Sequence, residues 1–193
     1  MAIVAPILPA RELSSPRLRL RGWQESDAPR LYDAARESID SIGPWLPWCH
    51  AGYTLIDAQA WIAHCQAAWR QGGHYTFAIT DAIDGSLLGG IGLNQRNLLH
   101  RSANLGYWVR QSRQQQGICV EAAKLAARFG FDTLDLVRIE IIAAVDNRPS
   151  RRVAERCGAQ FEGISRQRLI HAGRVLDAAV YGWIPTDLAE PVI

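Results

Sequence analysis

Residues 110–122 read RQSRQQQGICVEA, which sets two arginines and three consecutive glutamines directly before a glycine and an apolar helical run. Three adjacent amides suit neither a core strand nor a buried helix face. The apolar spacing of Ile118, Ala122, Leu125, Ala126 and Phe129 predicts a helix that begins at this segment. A helix N-terminus leaves several backbone N–H groups without partners and carries a partial positive charge, so it suits phosphate oxygens. Gly117 would allow close backbone approach and Arg113 would add charge. Two readings are open on position and spacing: a polar strand-to-helix loop with a glycine bend, or a cradle for an anion. No GxxxxGK[ST] pattern occurs, and Gly89-Gly90-Ile91-Gly92 lies in strand-like surroundings, so neither a Walker loop nor a dinucleotide fingerprint is present.

A second candidate is Asn147-Arg148-Pro149-Ser150. Asparagine before a proline opens a helix, so Asn147 reads as a cap and Ser150 as a first-turn residue that either satisfies backbone groups or works at a polar helix end. Trp45 and Trp48 lie in GPWLPW, where stiff aromatics between prolines either wall a substrate slot or cover the core. Cys49-His50 and His64-Cys65 are adjacent pairs without a third ligand, and neighbours on a helix point about 100° apart, so no metal is expected.

These residues need elements to hold them. Leu18–Trp23 alternates as a strand, Glu25–Arg36 follows as a helix with Ser26 as cap, and 41–50 is a loop. Ala58, Trp61, Ile62, Cys65, Ala68 and Trp69 recur at helical spacing, opened by Thr54 with Asp57 and closed by Gly72-Gly73. His74–Ile83 and Leu87–Asn94 form a hairpin, followed by the strand Ala103–Val109, the helix from Ile118 and the strand Arg138–Val145. A helix from Asn147 carries Val153, Ala154 and Cys157 inward and stops at Gly158, and Phe161–Ile170 pairs with Val175–Ile184. The order predicts an α+β or mixed α/β layer on a single sheet.

Composition fits this: 193 residues suit one domain, with 48% hydrophobic and 21% charged residues. A net charge of +2 is too small to argue for nucleic acid, and Arg17, Arg19 and Arg21 alternate with leucines as one solvated strand face. The start, MAIVAPILPARE, lacks a basic leader and holds two prolines, and no apolar run reaches spanning length, so neither an export signal nor a membrane partner is expected. Four cysteines without CxxC spacing read as reduced thiols and a cytoplasmic location.

The stretches GYWVRQSRQQQGICVEAAKLAARFGF and IEIIAAVDNRPSRRVAERCGAQFEG resemble the GNAT superfamily of acetyl-CoA-dependent N-acetyltransferases, and within it the RimJ/RimL-like branch that acetylates ribosomal-protein N-termini. The resemblance runs from about Leu18 to Ile184. It implies a mixed, mostly antiparallel sheet with helices on both faces and a splayed central strand pair, strands 103–109 and 139–145. It implies acetyl-CoA as co-substrate, with Arg113, Gln114, Gln115, Gln116, Gly117, Ile118 and Cys119 as its diphosphate loop and Cys119 where Gly or Ala is usual. By the same resemblance the pantetheine arm runs along Tyr107, Trp108 and Val109 and is held by Asn147. A backbone N–H of that strand polarises the thioester, Ser150 protonates the departing thiolate, and the loop of Trp45 and Trp48 walls the acceptor site. Relatives are often dimers, so a homodimer is an open expectation.

The proton acceptor is where the match thins. A glutamate common before "GY" is Asn104 here, and a second falls near Leu169; His74 and His100 flank strands and are better read as structural. An α-amine near pKa 7.8 is about a tenth neutral at pH 7, whereas a lysine amine near 10.4 is neutral in roughly 0.04% of molecules. A site without an evident base therefore favours a protein N-terminus or an amino-acid-like amine. Two alternatives stand beside this: acetylation of another small amine, and an acyl-CoA-binding module without catalysis.

Overall fold

The computed structural model describes residues 12–188; the N-terminal segment 1–11, on which the export-signal reading mostly falls, lies outside the described residues. In chain order the elements are β1 (Leu13–Ser14), β2 (Leu18–Gly22), α1 (Ala28–Glu37), α2 (Ile39–Ile42), α3 (Leu55–Arg70), β3 (Tyr75–Asp81), β4 (Leu87–Asn97), β5 (Ser102–Val109), α4 (Ile118–Asp132), β6 (Arg138–Ala144), α5 (Arg148–Cys157), β7 (Gln160–His171) and β8 (Arg174–Trp183). No helix among the described residues is long and apolar enough to cross a membrane.

The strands form one sheet in the order β1-β2-β3-β4-β5-β6-β8-β7. Among its strand pairs only β5–β6 is parallel; the others are antiparallel. Alternation along β3 shows that both faces are covered. Phe77 and Ile79 join a core with Leu18, Leu20, Ala122, Phe129 and Ala154 under α4 and α5, while Ala78 between them joins a second core with Leu31, Ala35, Ala58 and Ile62 of α1 and α3. The predicted sheet, with helices on each side, is the one observed.

Local chemistry explains most boundaries. Thr54 and Asp57 form the expected capping box, with the Thr54 N–H donating to Asp57 Oδ2 at 2.8 Å. Asn147 Oδ1 accepts the Ser150 N–H at 3.1 Å, and α5 ends on Gly158 with φ 105°. Ser26 is not the cap of the first helix. It sits in a 3-10 turn, Glu25–Asp27, and the buried Asp27 carboxylate instead takes the Gln24 N–H at 2.9 Å and the Arg21 fork at 2.7 and 2.8 Å. A carboxylate has two oxygens to take a bidentate guanidinium fork and a capping N–H together, which the single oxygen of a hydroxyl cannot. Trp61 also departs from expectation: it is 42% exposed and stacks on His64 at 5.6 Å. It lies beside, not within, the buried stripe Ala58, Ile62, Cys65 and Trp69.

The glycine-rich run of β4 packs closely against β5. A Cβ on Gly90 would stand 2.6 Å from the Trp108 Nε1, so only glycine lets that indole lie across the strand.

Candidate functional site

The single parallel pair opens the molecule. β5 and β6 are joined from Ser102–Arg138 to Asn104–Glu140, and the register stops there. Beyond it, residues 105–109 remain paired to β4 and residues 141–144 to β8, so the two strands part. Backbone groups facing such a gap lack ladder partners, and an amide-bearing ligand can supply them. A cleft of about 780 Å³ fills the gap.

At one end of the cleft lies the polar loop. Arg110 forks onto Glu37, with Nε donating to Oε1 at 2.9 Å and the second nitrogen to Oε2. Ser112 donates to the same carboxylate from its N–H at 3.1 Å and its hydroxyl at 2.8 Å, and the Gln111 N–H donates to Ser38 Oγ at 3.0 Å. The Arg110 hydrogen bond, helped by Ser112 and opposed by burial, pulls the Glu37 carboxyl down to about 2. This clamp fixes the entry of the loop against the end of α1. Gln115 at φ 62° and Gly117 at φ 77° then turn the chain into α4. The first amide that bonds back is Glu121, to the Gly117 carbonyl at 3.1 Å, so the amides ahead of it have no partner within the helix. A Cβ on Gly117 would meet nothing within 4 Å, so the chain is open to solvent beside that residue.

The predicted loop residues divide. Arg113, Gln115, Gly117, Ile118 and Cys119 line the cleft. Gln114 lines it too, but its side chain is engaged inward, with Nε2 donating to the Val109 carbonyl at 3.1 Å and to Ser41 Oγ at 3.2 Å. Gln116 does not line it; its carbonyl accepts from Arg17 at 3.0 Å on the outer side. The Cys119 thiol is pushed up to about 12 by burial, which holds it protonated.

Along the gap run Tyr107, Trp108 and Val109 on β5, the cap residue Asn147 and Ser150 on α5, all on the cleft wall. The Tyr107 hydroxyl donates to the Ser150 carbonyl at 3.0 Å and stands 3.3 Å from Ser150 Oγ. Burial pushes the Tyr107 phenol above its ordinary range. Trp45 lines the cleft as well, with Pro44 and Pro47. Trp48 is absent from the lining: it packs edge-on against Trp108 at 5.3 Å and against Tyr53 at 5.7 Å, beside the second core. An indole flanked by two aromatics is held by them, so Trp48 backs the wall rather than forming it.

Several residues line the cleft that the sequence did not mark as lining it, Val153 among them, which was expected to face inward. Pro149, Arg152, Val153 and Arg156 share one face of α5 at i, i+3, i+4 and i+7, and Leu169 through His171 and Leu176 come from the β7–β8 hairpin. The charged residues of the lining are Arg113, Arg152 and Arg156, and no carboxylate is among its described residues. Asn104 donates to Asn94 Oδ1 at 3.0 Å. His74 lies beside His64 at 5.8 Å and His100 in the exposed β4–β5 turn, and neither lines the cleft. No group of three His, Cys, Asp or Glu able to hold a metal occurs among the described residues.

Comparison with known proteins accounts for this geometry. Residues 17–160 match the family model for the acetyltransferase (GNAT) domain. The chain is 30% identical to the protein YdaF of Bacillus subtilis (strain 168) over 172 residues, covering 88% of this chain and 92% of YdaF. It is 26% identical to the [Ribosomal protein uS5]-alanine N-acetyltransferase of Escherichia coli (strain K12), over 88% of this chain and 89% of that enzyme. Among solved structures, Mycobacterium smegmatis RimJ in complex with CoA-disulfide superposes with a TM-score of 0.81 at 25% identity, covering 93% of this chain and 88% of RimJ.

Proposed function

The chain belongs to the GNAT family and is an acetyl-CoA-dependent N-acetyltransferase, and from that premise we propose that its acceptor is the N-terminal α-amine of a protein, of the ribosomal-protein type. The observation that carries the proposal is the charge of the cleft: arginines and no carboxylate among its described lining residues. A polyamine or lysine side chain enters as a cation and needs acidic groups to hold it, whereas an α-amine is already about a tenth neutral at pH 7. The relative that acetylates a ribosomal-protein alanine supports the same class. A ribosomal acceptor would also place the enzyme in the cytoplasm.

The reaction then divides among residues of the cleft. The amides before Glu121 and the Arg113 side chain receive the diphosphate of the donor. A free backbone N–H on the β5 side of the gap polarises the thioester carbonyl, an oxyanion-hole arrangement. Ser150, beside the N-terminus of α5, gives its hydroxyl proton to the departing thiolate, which the helix dipole stabilises. Asn147 is engaged as cap to Ser150 and orders that helix end. Trp45 with Pro44 and Pro47 walls the acceptor side.

The test is a coenzyme A release screen against hexapeptides that differ at residue one, with free amino acids, an Nα-blocked lysine peptide and spermidine alongside. Turnover confined to peptides with a free N-terminus is expected. Preference for spermidine or lysine would overturn the proposal.

A further inference from the structure

Removing two protons from an incoming ammonium is part of every amide synthesis, and Ser150 accounts for only the one that reaches sulfur. The cleft lining narrows the choice for the other. Tyr107 is raised above its ordinary range and engaged at Ser150, the Cys119 thiol is held protonated, and the guanidinium groups of Arg113, Arg152 and Arg156 are already cationic. No carboxylate stands among the described lining residues. What is left is His171, and imidazole is the side chain whose chemistry suits proton exchange near neutral pH.

The end of the β7–β8 hairpin places it. Leu169 pairs with Leu176 and His171 with Arg174, so Leu169 and His171 stand two residues apart on one face of β7. Ile170 between them is 74% exposed and also lines the cleft. Leu169, Ile170, His171 and Leu176 all line the cleft, so the hairpin end forms part of its wall. The His171 Nδ1 is buried without a hydrogen-bond partner among the described residues. Arg174 pairs with it across the hairpin, and Arg152 and Arg156 of α5 line the same cleft. Asp177, a carboxylate of the same hairpin, is occupied with the Gln167 N–H at 2.8 Å.

We infer that His171 is a catalytic residue that takes a proton from the attacking amine, a deepening that rests on the α-amine reading above. His171 accepts one proton from the ammonium and passes it to solvent. The neutral amine then forms the C–N bond, the C–S bond breaks with its electron pair on sulfur, and the second nitrogen proton reaches the thiolate through Ser150.

The experiment compares kcat/KM across pH 6 to 10 for the full chain and its H171Q and H171A variants, using hexapeptides beginning with Ala or Ser and, in parallel, spermidine. For H171Q a loss of about tenfold or more is expected at pH 7, shrinking toward pH 9 as free α-amine becomes neutral without help. Acetyl-CoA affinity stays at the parent value, and added imidazole restores part of the H171A rate. Parallel pH profiles for parent and H171Q, no response of H171A to imidazole, or loss of acetyl-CoA affinity in both variants would each overturn the inference. A parent enzyme that prefers spermidine defeats the α-amine reading instead, and the profile comparison is then made with that amine.

Discussion

Replacing Gly117 by aspartate and, separately, by asparagine isolates what the loop does to an anion. Gly117 has φ 77° and no neighbour within 4 Å of a built Cβ, so the β-carbon of either residue meets open space. Both residues tolerate the left-handed region better than other side chains, and each costs about 1 kcal/mol of folding stability there. That cost is shared, so it cancels when the two variants are compared. The difference between them is one negative charge. At roughly 6 Å from a diphosphate carrying two charges, in a near-aqueous dielectric, the repulsion is about 1.4 kcal/mol, which is about tenfold in affinity. Calorimetric titration with acetyl-CoA at low salt should therefore rank parent and Asn variant close together and the Asp variant about tenfold weaker, with the gap narrowing at 0.5 M salt as screening grows. Equal affinities for Asn and Asp variants would refute the placement of phosphate before the α4 amides.

Further expectations follow from other contacts. Ser150→Ala should lower turnover well below the parent while acetyl-CoA affinity in calorimetry stays near normal; unchanged turnover would leave Ser150 as a first-turn helix residue only. Glu37→Gln breaks the Arg110 fork and should weaken acetyl-CoA binding by loosening the loop entry. Because the Glu37 carboxyl lies at about 2 against an ordinary 4.5, its stabilisation is full above pH 4.5 and fades as pH falls toward 2. Allowing for its partial exposure this amounts to about 1–2 kcal/mol, and urea unfolding at pH 3 and pH 6 should show a smaller pH dependence in the variant. Trp45→Ala should raise KM for the peptide with acetyl-CoA affinity kept, whereas Trp48→Ala, which removes an aromatic contact to Trp108, should lower the melting temperature; equal kinetic effects would contradict their different placements.

What could be read from the residues was local. The box of Thr54 and Asp57, the cap at Asn147 and the stripe from Ile118 are signals within one helical turn, and each appears at its expected place. The hairpin of β3 and β4 and the alternation of β2 are equally short-range. The splay of β5 and β6 came from family resemblance, because no periodicity marks where a ladder stops. The Glu37–Ser112 contact joins residues 75 apart, and nothing near either one announces the other. The hairpin contribution was missed for a related reason. β7 slips register between Phe161 and Gly163 and again between Ser165 and Leu169, so an alternation counted from its start assigns the wrong face by its end.

The position of the cleft follows from topology before any side chain is considered. Antiparallel neighbours can be joined by hairpins, but a parallel pair needs a crossover, and α4 provides it between β5 and β6. Its N-terminus must then lie beyond the carboxyl end of β5. α5 follows β6 directly, so its N-terminus lies beyond the carboxyl end of β6, on the same side of the sheet edge opened by the splay. Two helix N-termini thus address one gap, the first at Gly117 and Ile118, the second at Asn147 and Ser150. Acetyl transfer from a thioester puts negative charge at two places, a permanent diphosphate and a transient thiolate. A single parallel pair in an otherwise antiparallel sheet supplies a positive helix end for each, which is why the loop glycine and the serine belong to one site although 33 positions apart in the chain.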